Sequence, residues 1–145
     1  MQRLSPFLTL VALLFPCLLR AQQATPADSA VAAAQVAARS WLFLVDHVRY
    51  GESWDSAATI FRNAVTQPVW ENAVLQARGP LEPFGARKLL TAAFRRHLPN
   101  APPGEYVVLL YETKVGGNRT VVETVTPMKE SDERWRVSGY FVRPQ

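Results

Sequence analysis

The sequence contains a single cysteine, Cys17, and only two histidines. One cysteine excludes an intramolecular disulfide, and neither His47 nor His97 has a second ligand at metal-binding spacing. We therefore expect no metal and no cofactor. Charged residues make up 19% of the 145 residues, too few for intrinsic disorder, and the 48% hydrophobic share can bury one compact core.

Clusters of like charge are also scarce. The neighbouring basic pairs are Arg87-Lys88 and Arg95-Arg96, and the other basic residues are scattered along the chain. The sequence has no basic helix face or stripe of the kind that binds a phosphate backbone. We expect no nucleic-acid partner.

Residues 1–21 resemble a secretory signal peptide. Arg3 gives a positive start, an apolar stretch covers residues 4–19, and Ala21 is a small residue suited to cleavage. The alternative is a membrane anchor, but a stretch of about 16 residues is shorter than the roughly 20 that a transmembrane helix needs. We expect a periplasmic or secreted protein that begins near residue 22. Cleavage would remove the only cysteine and any membrane attachment.

A short polar lead, residues 22–25, precedes one predicted domain over residues 26–143. Thr25 and Pro26 are typical of a helix start, and the first helix is predicted to run to about Tyr50. Helical periodicity divides it into a buried face of Ala30, Ala33, Ala34, Ala37, Trp41, Leu44, Val45 and Val48 and a solvent face of Asp28, Gln35, Arg39, Asp46 and Arg49.

Two further helices are predicted before the pattern changes. Ser53 is expected to cap the second helix, Thr66 and Pro68 to open the third, and Gly79 to end it. The inward residues of the third helix are predicted to be Val69, Trp70, Ala73 and Ala77.

After residue 80 the hydrophobic pattern alternates with the period of β-strands. Four strands are predicted, at about residues 86–96, 106–115, 120–129 and 134–142. The short links favour an antiparallel meander. Three N-terminal helices packed on a curved four-stranded antiparallel sheet would make this an α+β protein.

The turns predict how the last three strands pair. A two-residue or four-residue loop around residue 117 places Glu112 opposite Glu123, and the next hairpin places Glu123 opposite Tyr140. A three-residue loop would shift either register by one residue. The predicted core face carries Val107, Leu109, Tyr111, Thr113, Val122, Thr124, Thr126, Trp135, Val137 and Phe141. The predicted outer face carries Glu112, Glu123 and Arg136 with an apolar patch of Tyr106, Val108, Leu110, Val121, Val125, Tyr140 and Val142.

Several of these residues carry a resemblance to a known family. They are Trp41-Leu42, Asp46, Tyr50, Ser53-Trp54-Asp55, Phe61, Trp70, Arg78, Gly104-Glu105-Tyr106-Val107-Val108, Glu112-Thr113, Glu123-Thr124-Val125-Thr126 and Trp135-Arg136-Val137-Ser138-Gly139-Tyr140-Phe141. In them the sequence resembles the domain of unknown function 4019 family over nearly the whole mature chain. That family consists of small, commonly exported bacterial proteins of no established activity. The resemblance implies the cone-shaped fold of the superfamily of nuclear transport factor 2 and the cystatins.

Catalytic candidates are few. Facing carboxylates can form an acid and base pair, because like charges raise the pKa of one of them, so Glu112 and Glu123 are candidates. His47, near the end of the first helix, is a third. The alternative, which we favour, is that Arg87 or Arg136 neutralises the two glutamates. No residue is therefore assigned a catalytic role.

The candidate ligand contacts are Trp41, Tyr50, Trp54 and Tyr111. Tryptophans on predicted core faces more often pack in the core than bind a ligand, so the ligand itself is unknown.

The expected function is that of an exported, non-enzymatic module that binds a small ligand or assembles with a periplasmic protein. The alternative is a small cofactor-free lyase, isomerase or hydrolase that uses the cone as its active-site pocket. Monomers seldom expose a contiguous apolar patch of this extent, so a homodimer through the outer sheet face is also predicted.

Overall fold

The computed structural model describes residues 24–145, so the predicted signal peptide, its cleavage site and Cys17 lie outside the described residues. The elements are α1 (Pro26–Asp46), α2 (Tyr50–Asp55), α3 (Thr59–Ala64), α4 (Gln67–Arg78), a 3-10 turn (Gly79–Leu81), β1 (Arg87–Arg95), β2 (Glu105–Val115), β3 (Arg119–Lys129) and β4 (Trp135–Pro144). Helices and one antiparallel sheet confirm the α+β class. Within residues 24–145, no helix is both long enough and apolar enough to cross a membrane.

Helix α1 begins where the sequence predicts. The Thr25 hydroxyl accepts a hydrogen bond from the Asp28 amide at 3.1 Å, and the Asp28 carboxylate accepts one from the Thr25 amide at 3.0 Å. This reciprocal capping box stabilises the first turn. The helix ends at Asp46, before the predicted Tyr50, because Val48 adopts a left-handed φ of 58° that turns the chain into α2.

The predicted second helix is two short helices, α2 and α3. Between them the Ala58 amide donates a 2.8 Å hydrogen bond to the carbonyl of Val137 in β4, which takes the backbone out of the helical path. Ser53 does not cap a helix as predicted. It is buried inside α2, and its hydroxyl accepts a 2.9 Å hydrogen bond from the Trp70 indole.

The buried stripe of α4 differs from the prediction. Trp70, Val74 and Arg78, spaced four residues apart, are buried, whereas Val69 is 57% exposed. Ala73 and Ala77, also predicted to face inward, are exposed. The predicted face was chosen by hydrophobicity, and a buried arginine adds no hydrophobicity to its face. The prediction therefore placed the buried face of α4 on the wrong side of the helix.

The sheet is open, with strand order β1-β2-β3-β4 and edges at β1 and β4. The loop between β2 and β3 has three residues, so Glu123 pairs with Tyr111, and the predicted pairing of Glu123 with Glu112 is wrong. A shift of one residue turns every side chain of a strand to the other face. Val121, Glu123 and Val125 of β3 therefore lie on the helix-covered side.

The pairing of β3 with β4 also differs from the prediction. Glu123 pairs with Val142, and Tyr140 pairs with Val125, so the predicted pair of Glu123 and Tyr140 is wrong. A bulge next to Pro127 shifts the register again, because one strand gains an unpaired residue there. Beyond this bulge Val137 returns to the buried face, as predicted.

Aromatic rings fill the space between the helices and the sheet. The Trp41 ring lies 5.5 Å from Trp70 and 5.3 Å from Tyr140, and Phe61 meets Trp70 edge to face at 5.1 Å. Trp54 and Trp135 pack against this cluster. All four tryptophans belong to the core, as predicted.

Candidate functional site

An open groove of about 460 Å³ lies between α1 and the first two strands. It is lined by Gln35, Arg39, Leu42, Phe43 and Asp46 of α1, by Gly85, and by Arg87, Leu89 and Tyr111 of the sheet. The α1 residues follow one helix face at spacings of three and four. Gln35, Arg39 and Asp46 were predicted to face solvent, and this polar face forms one wall of the groove.

A network of ion pairs begins at the wall of the groove, with Asp46 and Arg87, and continues into the protein beneath it. The Arg87 guanidinium donates to Asp46 Oδ2 at 2.6 Å and, through Nε, to Glu123 Oε2 at 2.5 Å. Arg78 donates to Asp46 Oδ1 at 2.7 Å, and its Nη1 lies 3.6 Å from Glu123 Oε1. Two cations thus alternate with two carboxylates, and Glu82 adds a third carboxylate 3.5 Å from Arg78 Nε.

Neutral partners complete the hydrogen bonding of Glu123. The Thr113 hydroxyl donates to Oε2 and the Tyr140 hydroxyl donates to Oε1, both at 2.6 Å. The Tyr140 oxygen also accepts a 3.2 Å hydrogen bond from Arg78. Arg78 and Glu123 are fully buried, and buried ions are tolerated when pairing and hydrogen bonds replace the lost water.

The network also sets the protonation of its members. Burial alone would raise the pKa of Asp46, but hydrogen bonds and charge from Arg87 and Arg78 outweigh burial and lower it. Burial raises the pKa of Tyr140 far above its ordinary value, and the negative charge of Glu123 raises it further. At neutral pH Asp46 is therefore a carboxylate and Tyr140 a neutral hydrogen-bond donor.

The structure separates the three catalytic candidates. Glu112 lies on the outer sheet face, Glu123 is enclosed on the inner face, and His47 is exposed at the end of α1, where Nδ1 lies 2.8 Å from the Phe43 carbonyl oxygen. Residues 24–145 hold no cluster of three or more metal-binding side chains. Glu112 and Glu123 cannot form an acid and base pair across the sheet.

One of the four candidate ligand contacts lines the groove, namely Tyr111. Trp41 is buried and donates to the Ser53 carbonyl, Trp54 donates to the Val65 carbonyl, and Tyr50 is buried beside the network.

The predicted interface patch is divided between the two faces of the sheet. Val108 and Leu110 are half-buried on the outer face. Tyr106 is also on that face, but it is covered by a loop and donates a 2.7 Å hydrogen bond to the Pro102 carbonyl. The β3 and β4 members, Val121, Val125, Tyr140 and Val142, lie on the helix-covered side because of the register shift.

Sequence reasoning named Arg87 as a possible partner of Glu123, and the two are paired, but it missed that this pair is buried and that Asp46 and Arg78 join it. Glu123 lies two residues from both Val121 and Val125 in β3, and residues two apart in a strand share one face of the sheet. Arg78 follows Trp70 and Val74 at helical spacing. Both signals place a charge in a buried stripe, and opposite charges buried in one core must pair.

Helices packed on an open antiparallel sheet, with a buried ionic network beside a groove, define a small α+β protein. Residues 37–140 match the family described as "Protein of unknown function (DUF4019)", and the chain belongs to that family. The matched range contains Arg39 and every member of the network. No curated protein sequence matches the chain.

Proposed function

We propose that this protein is a binding module that takes up a small organic anion with an apolar portion in the groove beside α1. The observation that carries this proposal is the position of Arg39 and its lack of an ion pair in the described part of the chain. Arg39 lines the groove and has no ion pair within residues 24–145, whereas Arg78 and Arg87 are paired with Asp46 and Glu123.

Tyr111 supports an anionic ligand at the same place. The residue lines the groove, and its hydroxyl makes no hydrogen bond to another described residue. Burial raises the pKa of Tyr111, and the nearby charge of Arg39 partly opposes that rise. A carboxylate between the two side chains would accept one hydrogen bond from each, and such charge-assisted bonds are stronger than neutral ones.

The other walls of the groove favour an apolar portion in the ligand. Leu42 is buried beneath the groove, while Phe43 is 53% exposed and Leu89 is 37% exposed at its mouth. Small-molecule sites are commonly apolar with a few polar groups that fix orientation. An alkyl or aryl chain attached to the anion would cover these side chains.

The enzymatic alternative has less support. A general acid needs a carboxyl or similar group that is protonated near the working pH, and the pKa of Asp46 is lowered instead. Glu123 accepts hydrogen bonds from Arg87, Thr113 and Tyr140 and is enclosed beneath the groove. The carboxylates at this site therefore stabilise its structure.

Calorimetry with three ligands of one chain length tests the binding proposal. Octanoate should bind, whereas octanol should bind more weakly because it lacks the charge, and octylamine should not bind because its ammonium would meet Arg39. Equal binding of all three would contradict an anion site.

Two variants locate the binding. Arg39→Gln should weaken octanoate binding at least about tenfold, because it removes a charge-assisted hydrogen bond worth about 1.5–3 kcal/mol. Arg134→Gln is the control, since the Arg134 side chain is 78% exposed and lies away from the groove. Octanoate binding that both variants weaken equally would place the anion elsewhere.

We also propose the nuclear transport factor 2-like cone as the finer description of the fold. The sequential antiparallel order of the strands and the helices on one face support it. The bulges in the β1–β2 and β3–β4 pairings support it too, since bulges bend a sheet.

Export stays a prediction as well. Intact-mass analysis of protein from the producing cell should show cleavage after Ala21, and retention of residues 1–21 would contradict export.

Homodimerisation through the outer sheet face is a further proposal, on a revised set of residues. Leu110, Thr124 and Phe141 form one row across β2, β3 and β4, and Phe141 is 67% exposed. Light scattering should give a dimer for the wild-type protein and a monomer for Leu110→Asp. A monomer in both cases at micromolar concentration would refute the dimer.

A further inference from the structure

Strand β1 has a free edge. It pairs with β2 on one side, and within residues 24–145 no strand pairs with its other side. Alternate backbone N–H and C=O groups of an edge strand point away from the sheet and are available to another chain. The other edge strand, β4, is partly covered, because its Val137 carbonyl accepts the Ala58 amide.

Positively charged side chains lie near both ends of the free edge. Lys88 stands near one end of β1, and Arg95 and Arg96 stand at the other. All three are exposed and have no ion pair within the described part of the chain. The sequence contains no acidic residue between Glu82 and Glu105, and the register places Glu112 of β2 opposite Lys88, so the charge of Arg95 and Arg96 is the less offset of the two ends.

The centre of the strand is suited to pairing. From Thr91 to Arg95 the register with β2 is regular, since the irregularity in β1 lies before Thr91. Ala92 and Ala93 point to opposite faces within this stretch and are small. Larger side chains of an added strand would find room beside them on either face.

The charges decide between two possible occupants. In a second copy paired antiparallel through β1, Lys88 of one strand would approach Arg95 and Arg96 of the other, and like charges opposed across strands are destabilising. An acidic segment would meet cations at both ends instead. We propose that the β1 edge binds an extended segment of another protein that carries acidic residues on either side of an uncharged, apolar centre, as an added fifth strand.

A designed peptide tests this proposal. The probe is a fluorescein-labelled peptide with a centre of alternating valine and threonine and two glutamates at each end, and binding is followed by anisotropy. Two comparison peptides separate the contributions. One has lysines in place of the glutamates, and the other keeps the glutamates but has prolines at alternate central positions, which cannot donate backbone hydrogen bonds. Of the three, the labelled probe with glutamates and a valine–threonine centre should be the one that binds. Equal binding of the peptide with central prolines would overturn strand addition.

Charge-matched variants locate the site. Arg95→Glu with Arg96→Glu should weaken binding at least about tenfold, because both interactions at that end become repulsive. Arg134→Glu with Arg143→Glu makes the same change of net charge in exposed residues of the β4 region and should change affinity by less than about twofold. Equal losses for both pairs would indicate attraction to net charge only and would overturn the proposal.

Hydrogen exchange on the wild-type protein gives an independent readout. Amides of β1 that face the free edge should exchange more slowly when the acidic peptide is bound. Peptide binding without added protection in β1 would refute the proposed location.

Discussion

Replacing Glu123 by glutamine should destabilise the protein more than a change of one atom suggests. The carboxylate is fully buried and accepts hydrogen bonds from Arg87, Thr113 and Tyr140. A glutamine would turn an NH₂ group toward one pair of these donors, and it would leave Asp46 as the one carboxylate shared by Arg78 and Arg87, with Glu82 3.5 Å from Arg78 Nε. Removing one member of a buried ion pair costs about 3–5 kcal/mol, and we expect a loss in this range.

Urea unfolding followed by tryptophan fluorescence measures this loss, because all four tryptophans lie in or against the core. With a urea dependence of about 1–3 kcal/mol per molar, the midpoint should fall by about 2 M. Glu112→Gln is the matched control. Glu112 is half-buried on the outer face, so its substitution should change the free energy of unfolding by no more than about 0.5 kcal/mol.

A double-mutant cycle makes the test specific to the network. Arg87→Gln should also be costly, but the double variant with Glu123→Gln should lose about 1–3 kcal/mol less than the sum of the two single losses, since the residues interact directly. Additive losses, or a cost for Glu123→Gln no larger than that for Glu112→Gln, would refute a stabilising network.

Three further predictions concern pH and backbone packing. The arginines lower the pKa of Asp46, so its ionised form stabilises the fold above pH 3.8, and this stabilisation is lost as the pH falls below that value. Unfolding followed by circular dichroism should therefore show that the stability of Asp46→Asn falls less steeply with decreasing pH than that of the wild-type protein. Burial raises the pKa of all four tyrosines above 10.0, so tyrosinate absorbance should stay low at pH 10 while the protein is folded, and ordinary titration would contradict this burial. Gly116→Ala would place a Cβ atom 2.2 Å from the Glu82 carbonyl oxygen and should cost about 2 kcal/mol or more in thermal denaturation, whereas Gly79→Ala meets nothing within 4 Å and should be neutral or stabilising by up to about 1 kcal/mol.

Features set by neighbouring residues could be predicted from the sequence. The start of α1 was predicted from Thr25 and Pro26, and Thr25 is the N-cap residue, with capping hydrogen bonds to Asp28 three residues on. The four strands lie close to their predicted ranges, because alternation over ten residues is a local pattern. The family resemblance also rests on local motifs, and it is confirmed over residues 37–140.

The strand registers could not be predicted in this way. One residue more or less in the loop between β2 and β3 decides whether Glu123 faces the helices or the solvent, and both choices leave the sequence of β3 equally alternating. The break between α2 and α3 was missed for a related reason. It depends on a hydrogen bond from Ala58 to Val137, which is distant in the chain.

The candidate site combines both kinds of information. Arg39, Asp46 and Tyr111 were recognisable by themselves as polar residues on α1 and β2, and helical or strand periodicity assigned each to a face. Their role depends on Arg87 and Glu123, which come from β1 and β3 and meet Asp46 only after the sheet has packed against α1. A local pattern reports which face of an element is apolar, whereas the partner of a buried charge is chosen by whichever element tertiary packing brings within hydrogen-bond distance.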